Sequence, residues 1–136
     1  MELMARRNPQ WQQDKVLAYR LAALEYRLLA LEVLELRLAK SMSTSHPAAG
    51  GGSLTKLLAS ELQKDVTELG ARLAGLSGLE FVQMRPLPAS EALGFAGGDL
   101  ELVAMPRYLN TRATSIFGGT SEIQREIIGK QVLGLR

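Results

Sequence analysis

The stretch from Trp11 to Lys40 contains neither glycine nor proline and is built mainly from Leu, Ala, Glu and Arg. Residues of this kind lose little conformational freedom in a helix, so the stretch predicts one long helix over about 11–40. Leu17, Leu21, Leu24, Leu28 and Leu31 recur at alternating spacings of four and three and share one stripe of it. Leu29, Val33 and Leu36 form part of a second apolar row. A helix apolar on two sides needs cover on two sides, more than the few other helices of so short a chain supply, and contacts with another subunit are expected.

The run SMSTSHPAAGGGS, Ser41 to Ser53, combines serines, a proline and three consecutive glycines and reads as a loop between helices. His46 lies in it with no sequence neighbour for catalysis or metal binding, and is expected to be a solvated loop histidine. Ser53 is a candidate N-cap for a second helix over about 53–74, with Leu54, Leu57, Leu58, Leu62, Val66, Leu69 and Leu73 on its inner side and Gly75 and Gly78 ending it. Two long helices joined this way predict an antiparallel hairpin. The segment 79–98 carries two prolines and three glycines without a period and reads as a long connection. A helix over about 100–116 follows, with Pro106 expected in its first turn. Gly118 and Gly119 break the chain before a last helix over about 121–133, where Ser121 and Gln124 have capping-box spacing. The expectation is an all-α up-and-down helical bundle forming a single domain over 1–136, with no strand and no internal repeat.

Composition narrows the functional classes. With 46% hydrophobic and 22% charged residues the chain has the balance of a soluble globular protein. Its net charge of +2 is small beside 16 basic and 14 acidic side chains and predicts no nucleic-acid partner. Without cysteine, and with a single histidine, disulfides, thiolate chemistry and a metal site are not expected. The N-terminal MELMARRNPQWQQDK is too polar for a signal peptide, and charges interrupt every long apolar run, so no membrane span is expected and a cytoplasmic location is the plain reading.

The segment FGGTSEIQREIIGKQVLG places a Gly-Gly turn directly before an amphipathic helix. Such a turn admits close approach to the main chain, and the first N–H groups of the helix, its dipole and the Thr120 hydroxyl could hold an anionic or carbonyl-bearing group. On these residues alone a simple glycine linker, with Thr120 or Ser121 as cap, is the more ordinary account of the pattern.

The whole of Arg112 to Leu135 resembles the C-terminal signature of the acyl-CoA dehydrogenase family, in which a Gly-Thr-Ser-x-Ile-Gln-Arg run opens the last long helix. Here that run is Gly119, Thr120, Ser121, Glu122, Ile123, Gln124 and Arg125, without a gap. Ser53 to Glu61 is similar to the start of the family's preceding helix, and ARLAGLSG, Ala71 to Gly78, stands in the place of its glycine-rich flavin-contacting turn. The resemblance implies the C-terminal helical part of a three-part flavoprotein, with the first helix of its bundle largely missing and the isolated chain inactive.

The activity so implied is the α,β-oxidation of acyl-CoA thioesters with FAD as cofactor in the complete enzyme and an electron-transfer flavoprotein as partner, in a homo- or hetero-oligomer. Residue by residue, it implies flavin contacts at Thr120, Glu122, Arg72 and Gly75, and acyl-side contacts at Phe117 and Gly119. A core role for Phe117 remains the other reading. Many members carry a catalytic glutamate immediately before the Gly-Thr-Ser run, a position held here by Gly118, so no catalytic residue is assigned. Leu76, where the family has a glycine, departs from the pattern. The alternative implied function is a free-standing, non-catalytic helical subunit or interaction module of a heteromeric complex.

Overall fold

The computed structural model describes residues 13–43, 49–76 and 99–135. His46, Gly78 and the connection expected over 79–98 lie outside them. The described residues are all-α: α1 spans Lys15–Met42, α2 Gly51–Leu73, α3 Asp99–Asn110 and α4 Ser121–Gln131, and a 3-10 segment, Thr111–Ser115, continues directly from α3. There is no strand among them.

The helix ends differ from expectation for local reasons. α1 begins at Lys15 because the Asp14 carboxylate takes the free N–H groups of Val16 and Leu17, at 2.9 and 3.2 Å. α2 begins at Gly51, ahead of the expected Ser53 cap. Its cap is Gly50, in the left-handed region at φ 74° with no side-chain cap bond, so part of the triple glycine is helix rather than loop. At Gly51 a Cβ would crowd Leu38 Cδ2, so the two helices approach closely there and a larger residue would make the Leu38 side chain shift. Pro106 lies inside α3, not in its first turn. Beyond Asn110 the hydroxyls of Thr111, Thr114 and Ser115 each donate to the carbonyl three residues earlier, competing with the α-helical ladder where the chain tightens to a 3-10 turn.

α2 is the centre of the molecule and packs against α1, α3, the 3-10 segment and α4. Leu38 at the end of α1 meets Gly51 at the start of α2, while Arg27 and Arg20 pair with Asp65 and Glu68 further along, so the two helices run antiparallel. Leu24, Leu62, Leu69 and Leu73 form the buried core, with Leu17, Leu21, Leu31 and Val66 packed against it. Burial of a leucine side chain contributes up to roughly 1.5–3 kcal/mol. Leu28, expected on this stripe, is 58% exposed, because a helix covered mainly by one neighbour buries only the line of contact. The second apolar row of α1 is exposed as well. No helix among the described residues is long and apolar enough to cross a membrane.

Candidate functional site at the head of α4

The glycine turn is positioned by its anchorage to α2. Arg112 donates from Nη2 to the Lys64 carbonyl at 3.0 Å and lies 4.4 Å above the centroid of the Tyr108 ring. Thr111 and Thr67 share a hydroxyl hydrogen bond of 2.8 Å. With the 3-10 segment fixed, the chain turns through Gly118 at φ +66° and Gly119 at φ +91°, a region costly for residues with a Cβ.

The turn is held from behind by two side chains. Gln124, 6% exposed, donates from Nε2 to the carbonyls of Gly118 at 3.1 Å and Gly119 at 3.4 Å. Lys56, from the start of α2, donates its ammonium to the Gly119 carbonyl at 2.7 Å. A Cβ on Gly119 would lie 2.6 Å from Gln124 Nε2, whereas one on Gly118 would meet nothing within 4 Å. The inner side of the turn is therefore filled and the side over Gly118 is open.

The helix cap is Thr120, whose hydroxyl accepts from the Ile123 N–H at 3.4 Å. Ser121, expected to head a capping box with Gln124, is instead the first helical residue, and its buried hydroxyl has no hydrogen-bond partner. Gln124 reaches back to glycine carbonyls because its side chain enters the packed face toward α2.

Glu122 extends into solvent from the first turn, its side chain 80% exposed. Its carboxyl is held below the ordinary value of 4.5 by its own backbone N–H, then by the Thr120 hydroxyl and the charges of Arg125 and Lys56. It is ionised at neutral pH and can only accept hydrogen bonds. Ile116, Phe117 and Ile123 surround the turn at 65, 60 and 47% exposure. Phe117 is thus a surface residue, not a core one.

The sequence-derived site residues fall into two groups. Phe117, Gly118, Gly119, Thr120 and Glu122 come together at the head of α4. Arg72 and Gly75 lie at the far end of α2, where Arg72 is paired with Glu68 at 2.7 Å and Gly75 has φ +61°. From Lys56, beside the turn, to Arg72 is about 24 Å along the helix at ~1.5 Å per residue, so no single ring-sized ligand touches both groups. Lys56 and Gln124 are the residues whose role the sequence did not disclose. One acts across a separation of 63 residues, and the other had a local role as a capping partner to absorb it.

A groove between α1 and α2, lined by Tyr19, Arg20, Arg27, Asp65 and Glu68, is a concavity among the described residues, but its arginines are already paired with its carboxylates. Among the described residues no cluster of His, Cys, Asp and Glu could hold a metal ion. The head of α4 can therefore present an exposed main-chain turn, an apolar rim and one accepting carboxylate. Compared with known proteins, residues 4–133 match a family model described as acyl-CoA dehydrogenase, C-terminal domain. No curated protein and no solved structure gives a significant match.

Proposed function

The chain belongs to the acyl-CoA dehydrogenase family as its C-terminal domain, and from that premise we propose that the head of α4 forms the flavin side of a site oxidising acyl-CoA thioesters. The observation that carries this reading is the exposed Gly118–Gly119 turn, held by Lys56 and Gln124 and rimmed by Ile116, Phe117 and Ile123. The residues fit FAD: open space over Gly118 admits a flat ring against the main chain, and the positive end of the α4 dipole suits its polar edge. Thr120 and Glu122 would hold it there, and Phe117 and Gly119 would meet the acyl group. Arg72 and Gly75 would contact the cofactor only from the far end of α2. When bound, FAD supplies the acceptor for a hydride from the acyl β-carbon, and an electron-transfer flavoprotein would reoxidise it.

The turn itself holds no base for the α-proton. Gly118 has no side chain, and Glu122 is kept below the ordinary carboxylate range, the wrong direction for a base that works best with a pKa near the operating pH. The base must come from elsewhere than this turn, and the complete enzyme is a homo- or hetero-oligomer in which this domain supplies flavin contacts and an interface. Gly118 also suits the second reading, a non-catalytic helical subunit of a heteromeric complex. A reconstituted complex that loses turnover when Phe117 is replaced by Ala would reject it.

Titrating isotopically labelled chain with FAD tests the main reading. Weak, saturable amide shifts confined to Phe117–Ile123 are expected, with no flavin bleaching when an acyl-CoA is added to the chain alone. Shifts elsewhere only, or bleaching, would overturn it.

A further inference from the structure

The charged side chains of α2 are paired with opposite charges, with one exception. Glu61 pairs with Lys64, Asp65 with Arg27, and Glu68 with Arg72 and Arg20. Lys56 has no ion-pair partner among the described residues. It is half-buried beside the head of α4 and directs its ammonium to the neutral Gly119 carbonyl at 2.7 Å. A neutral side chain can serve as donor there, as Gln124 does for the same carbonyl at 3.4 Å, so the bond by itself does not call for a charge.

The charge acts through the peptide it touches. The Gly119–Thr120 peptide is trans and planar, so its carbonyl and its N–H point in opposite directions. With the carbonyl held toward Lys56 and Gln124, the Thr120 N–H points out of the packed side of the turn, and no acceptor among the described residues takes it. A cation on the oxygen polarises the whole unit and makes that N–H a stronger donor. The field reaches further still. The Glu122 carboxyl, lowered first by its own backbone N–H and then by the Thr120 hydroxyl, is lowered again by the charges of Arg125 and Lys56. An ammonium behind the turn is therefore felt on its solvent side.

We infer that Lys56 is a positioning residue of the flavin site, holding the Gly119–Thr120 peptide with its N–H outward and favouring reduced over oxidised flavin against the turn. This rests on the flavin reading above. In the oxidation both electrons of the acyl β-C–H bond go with the hydride to the flavin, while the α-proton goes to a base elsewhere, so the ring gains a negative charge. Lys56 meets that charge from behind the turn, without touching the ring and without having to move.

Anaerobic titration of the full chain with oxidised FAD and with dithionite-reduced FAD, each followed by the amide shifts of Phe117–Ile123, separates this role from packing. The unmodified chain should bind the reduced form more tightly. Lys56→Met should lower that preference about fivefold, the effect of one partly screened charge, and Lys56→Arg should retain it. Gln124→Ala removes a donor behind the same carbonyl without changing the charge, and should weaken both forms alike. If Lys56→Met loses helicity by circular dichroism, Lys56→Gln, which keeps a donor and loses the charge, gives the same comparison. Equal affinity of the unmodified chain for the two forms, or equal losses for both in the uncharged Lys56 variants, would overturn the inference and leave the flavin reading standing. An unmodified chain that binds neither form at the turn would overturn both.

Discussion

Replacing Gly119 by alanine should destabilise the chain more than the same change at Gly118, although the two are adjacent and both have positive φ. At Gly118 a Cβ meets nothing within 4 Å, so alanine there incurs only the left-handed backbone penalty of roughly 1–2 kcal/mol. At Gly119, with φ +91°, the same penalty applies and the new Cβ lies 2.6 Å from Gln124 Nε2. Gln124 is buried and cannot swing into solvent, so its amide must withdraw and give up its bonds to the two glycine carbonyls. The Gly119 carbonyl keeps the Lys56 ammonium at 2.7 Å, which leaves the Gly118 bond as the main loss, about 1 kcal/mol. Gly119→Ala should therefore cost roughly 2–3 kcal/mol in total. Its excess over Gly118→Ala should be about 1 kcal/mol, roughly a fivefold difference in the folding equilibrium. Urea unfolding followed by circular dichroism measures both. Adding Gln124→Ala to each variant should reduce the difference between them, since the obstructing amide is gone. Equal midpoints for the two single variants, or a difference that persists without Gln124, would refute the account of a turn packed on that side chain.

Two further outcomes follow from the same geometry. Gly51→Ala should lower stability despite alanine's better helix propensity, because its Cβ would crowd Leu38 Cδ2, and Leu38→Ala in the same chain should recover part of the loss; a stabilised single variant in urea unfolding would show that Leu38 moves aside freely. The Glu122 carboxyl should titrate below 4.5 when followed by carbon NMR, and since its pKa is depressed on folding, its contribution to stability is present above the unfolded value and is lost as pH falls through the folded one. Thr120→Val should move that midpoint back up, and an unchanged midpoint would remove the Thr120 hydroxyl as a cause.

Much of the candidate site was legible because its residues are contiguous. Phe117 to Glu122 lie in one short run, a glycine pair before a helix has few conformations, and the order of the run carries the family resemblance. What was not legible was how the turn is held. Nothing near Lys56 in sequence indicates that its ammonium ends on the Gly119 carbonyl, because that contact depends on how α4 lies across α2. The expected capping box failed for a related reason. Spacing alone allows Ser121 and Gln124 to cap one another, but burial of both against α2 leaves Thr120 as the cap and turns Gln124 toward the carbonyls behind it. Similarity placed Arg72 and Gly75 with Thr120 by function, and the length of α2 separates them.

The sequence by itself determined that the chain is helical, that α1 is long and apolar on two sides, and that the chain breaks at Gly118. Those are consequences of propensity and period, which act over a few residues and need no knowledge of neighbours. The tertiary structure decided which side of α1 is filled, which glycines of the triple run lie against a neighbour, and which side of the Gly-Gly turn is open. Each depends on where a second helix passes, since burial and close approach are properties of pairs of elements. Leu28 shows the limit most plainly, being in phase with the inner stripe yet left in solvent because no helix among the described residues covers it.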